Sequence, residues 1–101
     1  MAERKKESIF GRNKDGKVKV EFIYVAPDAR EVVLAGSFNN WDQKSLLMKK
    51  DRKGNWKTVV ELAPGKYEYK YIADGYWVTD AQCTELTINS FGTTNCVVRV
   101  A

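Results

Sequence analysis

Between Lys17 and Val25 the chain alternates: Val18, Val20, Phe22 and Tyr24 fall on one side, and Lys17, Lys19 and Glu21 on the other. A period of two predicts a half-buried antiparallel strand. The alternation returns from Trp56 to Leu62, with Trp56, Thr58, Val60 and Leu62 on one face. It returns again from Tyr67 to Ile72, where three tyrosines (Tyr67, Tyr69, Tyr71) oppose Glu68, Lys70 and Ile72. The run from Glu31 to Ala35 is nearly all apolar and reads as a buried strand. Shorter strands are predicted at Ser45–Met48, Tyr76–Val78 and Cys96–Val100. Turn signals separate them: Asp15-Gly16, Ala26-Pro27-Asp28-Ala29, the charged stretch from Lys49 to Asn55, Pro64-Gly65, Asp74-Gly75 and Phe91-Gly92. Asp74-Gly75 is the signature of a two-residue hairpin turn of the primed type. The weakly patterned stretch from Thr79 to Thr87 reads as a loop crossing the fold, and no segment carries a helical period. About seven short strands with regular turn signals predict an all-β, immunoglobulin-like antiparallel sandwich.

A chain of 101 residues, 44% hydrophobic and 12% aromatic, makes one ordinary globular domain. Residues 1–15 are charged and lack periodicity, so they read as a flexible basic tail, with the sandwich over 16–101. Part of the net charge of +4 sits in that tail, which leaves the folded body nearer neutral. This weakens a nucleic-acid reading, and the signature of an RNA-recognition fold is also missing. No apolar run is long enough to cross a bilayer, and the N-terminus has no signal-peptide core. We therefore expect a cytoplasmic protein with no membrane partner, and no linker or second domain after the last strand. In a reducing compartment Cys83 and Cys96 are expected as free thiols, with a disulfide as the alternative that a sandwich permits. With two Cys and no His, a metal site is not expected.

Enzyme motifs are missing: there is no phosphate-cradling Gly loop, no Cys/His or Ser/His pair and no metal cluster. Asp74, Asp80 and Glu85 fall at turns, where carboxylates cap the backbone, so no catalytic residue is assigned. The positive signal is a set of aromatics at turn edges with polar neighbours. Trp41 ends the turn Gly36-Ser37-Phe38-Asn39-Asn40, Trp77 follows Asp74-Gly75, and Phe91 opens a third turn with Thr93 and Asn95 at alternate positions beyond it. Lys70 points outward on the strand before Trp77. Such a surface suits a sugar: the C–H face of a glucose ring stacks on a flat aromatic, and its rim of hydroxyls needs donors and acceptors. Two platforms at an angle suit a curved α-glucan better than flat cellulose. By spacing alone, though, Trp41 and Trp77 could equally plug the core, as Trp56 is expected to do in phase with Val60 and Leu62.

Four motifs occur in order: Glu31-Val32-Val33-Leu34-Ala35-Gly36-Ser37-Phe38-Asn39-Asn40-Trp41, Pro64-Gly65-Lys66-Tyr67-Glu68-Tyr69-Lys70-Tyr71, Asp74-Gly75-Tyr76-Trp77, and Phe91-Gly92-Thr93-Thr94-Asn95. Over residues 18 to 100 the chain resembles the family 48 carbohydrate-binding modules. These include the glycogen-binding domain of the AMP-activated protein kinase β subunit and the N-terminal early-set domains of isoamylase and branching enzymes. The resemblance implies an immunoglobulin-like sandwich that binds glycogen, starch, malto-oligosaccharides and cyclodextrin without metal or cofactor. It implies that Trp41 and Trp77 stack on glucose and that Lys70 and Asn95 hydrogen-bond hydroxyls. It also implies that Phe91 acts as an apolar finger and that Thr93 adds polar contacts. A glycogen-metabolising enzyme or kinase complex is the implied protein partner. The alternative is a structural domain that docks on an amylase-type enzyme or another partner and hardly binds sugar. Two features depart from the family: Ala81 follows Asp80 where Pro is common, and the stretch from Cys83 to Asn89 matches no pattern of the family. The C-terminal assembly region of the kinase subunit has no counterpart in this sequence, so the resemblance does not by itself support a kinase-scaffold role.

Overall fold

A computed structural model describes residues 7–12, 16–80 and 83–101, with the backbone alone for 7–12. Its strands are β1 (Glu7–Arg12), β2 (Val18–Val25), β3 (Val32–Gly36), β4 (Lys49–Lys50), β5 (Asn55–Leu62), β6 (Gly65–Ala73), β7 (Tyr76–Val78), β8 (Leu86–Ile88) and β9 (Thr94–Val100). They form two antiparallel sheets. The first has the order β1-β2-β5-β4 and the second the order β3-β6-β9-β8, with β7 added beside β6. The outer edge of β6 is shared: β9 pairs with Gly65–Tyr69 and β7 with Tyr71–Ala73.

The alternation read from the sequence builds the core directly. Val18, Val20 and Phe22 of β2 and Trp56 and Leu62 of β5 point inward from the first sheet. They meet Val32 and Leu34 of β3, Tyr69 and Tyr71 of β6, and Cys96, Val98 and Val100 of β9. Phe22 meets Tyr69 edge-on with ring centroids 5.0 Å apart, and Tyr24 stacks on Tyr71 at 4.7 Å. Trp56 is buried, and its indole N–H donates to the Ala26 carbonyl at 2.8 Å. This bond satisfies the one polar atom that burying a tryptophan has to accommodate.

Four features depart from the sequence reading. Strand β1 lies inside residues 1–15, which read as a tail; the edge of β2 offers it backbone partners, with Glu7 opposite Phe22 and Ile9 opposite Val20. The rest of that stretch, 1–6 and 13–15, lies outside the described residues. Ser45–Met48 makes only a bridge from Leu47 to Val33, and the ladder proper is Lys49–Lys50 on β5. Charged residues are tolerated there because β4 is an edge. The stretch read as a loop, Thr79 to Thr87, runs into β8 (Leu86–Ile88), whose three residues are too few to show a period. Finally, Cys83 and Cys96 are joined in a disulfide with their Cα atoms 6.0 Å apart. The expectation of free thiols rested on compartment; the pairing of β8 with β9 sets Leu86 opposite Cys96 and so brings the chain just before β8 alongside it.

Candidate functional site

The outward face of the second sheet carries a second, smaller apolar patch of Val33, Ala35 and Ile72, and Trp41 packs on it. The chain reaches that position through a tight sequence of backbone states. Gly36 lies so close to β6 that an added Cβ would stand 2.6 Å from the Glu68 carbonyl oxygen and from the Phe38 ring. A 3-10 turn, Ser37–Asn39, follows, and then Asn40 and Trp41 both take left-handed backbone with φ of 56° and 58°. The Trp41 amide closes the turn on the Gly36 carbonyl at 2.9 Å. The Asn39 side chain braces it, accepting from the Gly36 amide at 3.0 Å and donating to the Ser45 hydroxyl at 3.1 Å. Left-handed backbone at a bulky residue costs about 1–3 kcal/mol and persists only where the surroundings enforce it. Here the enforced result is an indole packed on the outer sheet face.

Trp77 reaches the same face by a hairpin. Asp74 and Gly75 have φ of 51° and 87°, the primed turn that the sequence predicts. The Asp74 carboxylate accepts from the Arg30 and Glu31 amides at 2.8 and 2.9 Å, which ties this turn to the start of β3. Trp77 stands opposite Ile72 in the ladder, and directly opposed residues share a face. The two indoles lie 6.3 Å apart with their planes at 55°, and Trp77 keeps 42% of its surface exposed. They therefore form an angled pair of partly exposed indoles on the outer face, not plugs of the inner core.

The opposite wall is the turn between β8 and β9. Asn89 organises it: its side-chain Oδ1 accepts from the Phe91 and Thr93 amides at 3.0 and 3.1 Å, an Asx-type turn. Its side-chain Nδ2 donates to the Thr93 hydroxyl at 2.6 Å and to the Asn95 side-chain Oδ1 at 3.1 Å. Phe91 stands at the tip with 89% of its surface exposed. The Lys70 ammonium donates to the Thr93 hydroxyl at 3.2 Å, joining β6 to this wall. Asn95 is buried at the base and donates to the Glu68 carboxylate at 2.9 Å.

Together these elements enclose a groove of about 770 Å³ lined by Trp41, Glu68, Lys70, Trp77, Ile88, Asn89, Ser90, Phe91, Thr93 and Asn95. All six residues singled out in the sequence are brought to it. Glu68, Ile88, Asn89 and Ser90 were not singled out. Glu68 had a signal, its position in phase with Lys70 on the outward side of β6. Asn89-Ser90 ahead of Phe91-Gly92 has the composition of an Asx turn. The three carboxylates considered for acid/base work lie elsewhere: Asp74 caps a turn, Asp80 is buried, and Glu85 forms a two-pronged pair with Arg99, both contacts at 2.8 Å. Among the described residues, no cluster of His, Cys, Asp or Glu could hold a metal ion. The groove offers aromatic faces, hydrogen-bond donors and one carboxylate.

A family model described as the glycogen recognition site of AMP-activated protein kinase matches residues 18–101. Curated relatives agree with it. The 5'-AMP-activated protein kinase subunit beta-1 of Sus scrofa is 34% identical over 71 residues, covering 70% of this chain and 55% of the relative. The subunit beta-2 of Homo sapiens is 35% identical over 71 residues, covering 70% of this chain and 25% of the relative. The subunit beta-1 of Rattus norvegicus is 32% identical over the same coverage. The chain thus spans between a quarter and about half the length of the curated relatives it matches.

Proposed function

The chain belongs to the family of the glycogen recognition site of AMP-activated protein kinase, and from that premise we propose that its groove binds α-1,4-glucans such as glycogen, starch and malto-oligosaccharides without catalysis. The observation that carries this reading is the angled pair of Trp41 and Trp77 on the outer sheet face, 6.3 Å apart and facing a polar wall. An α-1,4-linked chain curves, so successive glucose units present their C–H faces in different planes. Two indoles at 55° can each take one unit, whereas a flat β-1,4 ribbon offers both the same plane. Lys70, Thr93 and Asn95 supply the hydrogen bonds that such hydroxyls require. Phe91, raised at the tip of its turn, suits the apolar interior of a cyclic or coiled glucan. By the names of its relatives, the protein partner we propose is a kinase complex that the groove brings to glycogen.

The site is open and has few anchors, so a Kd of roughly 10 μM to 1 mM is expected. Tryptophan fluorescence during titration with maltoheptaose tests it, with cellohexaose as the comparison. A saturating change with the first and a much weaker one with the second supports the reading. Equal responses, or none at about 10 mM maltoheptaose, a concentration well above that Kd range, overturn it.

A further inference from the structure

The hydrogen-bond inventory of the groove is lopsided. Thr93 already accepts two bonds at its hydroxyl oxygen, from Lys70 and from Asn89, so what it has left to offer is its proton. The Asn89 oxygen is taken by two backbone amides, and its nitrogen donates twice. The Asn95 oxygen takes the Asn89 bond, and Asn95 is almost wholly covered. Lys70 can only donate. The floor therefore presents donors, while each sugar hydroxyl also has a proton of its own to place. Among the described lining residues Glu68 has the most acceptor capacity to spare: one carboxylate oxygen receives Asn95, and a carboxylate has about four acceptor positions, against two on the Ser90 hydroxyl. Its backbone is fixed by the ladder with Val97 and by donation of its amide to the Ser37 hydroxyl at 3.1 Å, and the Asn95 bond holds its carboxylate in the groove that Lys70 also lines.

Resting on the α-glucan reading above, we infer that Glu68 is a ligand-contacting residue that accepts a glucose hydroxyl through the carboxylate oxygen not bound to Asn95. Lys70 and Glu68 then act as a donor and acceptor pair on one face of β6, so that a hydroxyl can accept a hydrogen bond from Lys70 while donating its own to Glu68. A neutral glucan with adjacent free hydroxyls is the ligand this pair selects.

Two variants separate contact from support. Glu68→Gln keeps an oxygen for the Asn95 amide but replaces the outward acceptor with an NH₂ group. Glu68→Leu removes both. Each is titrated with maltoheptaose by calorimetry, alongside its melting temperature and the side-chain amide NMR signals of Asn95. Glu68→Gln is expected to weaken binding by about tenfold, in line with loss of a charge-assisted hydrogen bond, with the Asn95 signals and the melting temperature unmoved. Glu68→Leu is expected to weaken it at least as much and to shift the Asn95 signals. If Glu68→Gln binds like the parent while Glu68→Leu does not, Glu68 only supports Asn95 and the inference falls. If both bind like the parent, it falls as well. Failure of the parent protein itself to bind maltoheptaose overturns the glucan reading first, and the Glu68 contact with it.

Discussion

Strand β6 has two faces, each met by aromatic rings that serve opposite ends. Inward, Tyr69 and Tyr71 are fully covered and packed against Phe22 and Tyr24. Outward, Glu68, Lys70 and Ile72 lie under or beside two tryptophans that remain partly open. The inward face is closed by a second sheet. The outward face is closed only by turns, and these stop short of covering it. The lesson is that an aromatic residue acquires its role from what lies over it. Trp56 is covered and its N–H is bonded to the chain, whereas Trp41 rests on a small apolar patch, Trp77 stands opposite Ile72 of that patch, and both remain partly open.

Substitutions on each face should act on different quantities. The largest effect is expected from Trp56→Ala, which should cost about 3–5 kcal/mol of stability, a large part of what a domain of this size possesses. Chemical denaturation measures it, and an unchanged midpoint breaks the assignment of Trp56 to the inner face. Next comes reduction of the Cys83–Cys96 disulfide, which closes a loop with a sequence separation of 13. Loss of a crosslink of that span should cost about 3 kcal/mol of stability. Melting with and without dithiothreitol reads it, and equal melting temperatures contradict it.

On the outer face the quantity at stake is affinity. Trp77→Ala should weaken maltoheptaose binding by about 1–3 kcal/mol, by analogy with base stacking on aromatics, while leaving the melting temperature nearly unchanged. A drop in stability without a drop in affinity reverses the comparison. The smallest effect is expected from Lys70→Met, which keeps the stem and removes the ammonium. About 0.5–1.5 kcal/mol of binding should be lost, since a hydrogen bond to sugar replaces one to water. A loss larger than that of Trp77→Ala shows that polar contacts, not stacking, dominate the groove.

Much of this contrast is legible in the amino-acid order, because period two assigns every residue of β2, β5 and β6 to a side. Asp74-Gly75 could be read as a primed turn, since few other pairs accept positive φ at both positions. Less legible is whatever depends on a distant partner. Val33 and Ala35 sit in an unbroken apolar run, which does not say that they serve the outer face. Trp41 could not be separated from a core residue by spacing. Its position comes from left-handed backbone at two successive residues and from Gly36 pressed against β6. Strand β8 exists by pairing with β9, and that pairing also brings Cys83 to Cys96. The Asn89–Asn95–Glu68 chain of hydrogen bonds runs from the β8–β9 turn to β6 and has no local signature.

The three indole N–H groups report on both regions at once, because each gives its own cross-peak in a ¹H–¹⁵N correlation spectrum. The most direct test is to follow these three peaks while maltoheptaose is added. The Trp41 and Trp77 peaks should move together along one binding curve, and the Trp56 peak, its N–H bonded to the Ala26 carbonyl, should stay in place. A titration in which Trp41 and Trp77 hold still, or in which Trp56 moves as far as they do, contradicts the division of the sandwich into a closed inner face and a glucan-binding outer one.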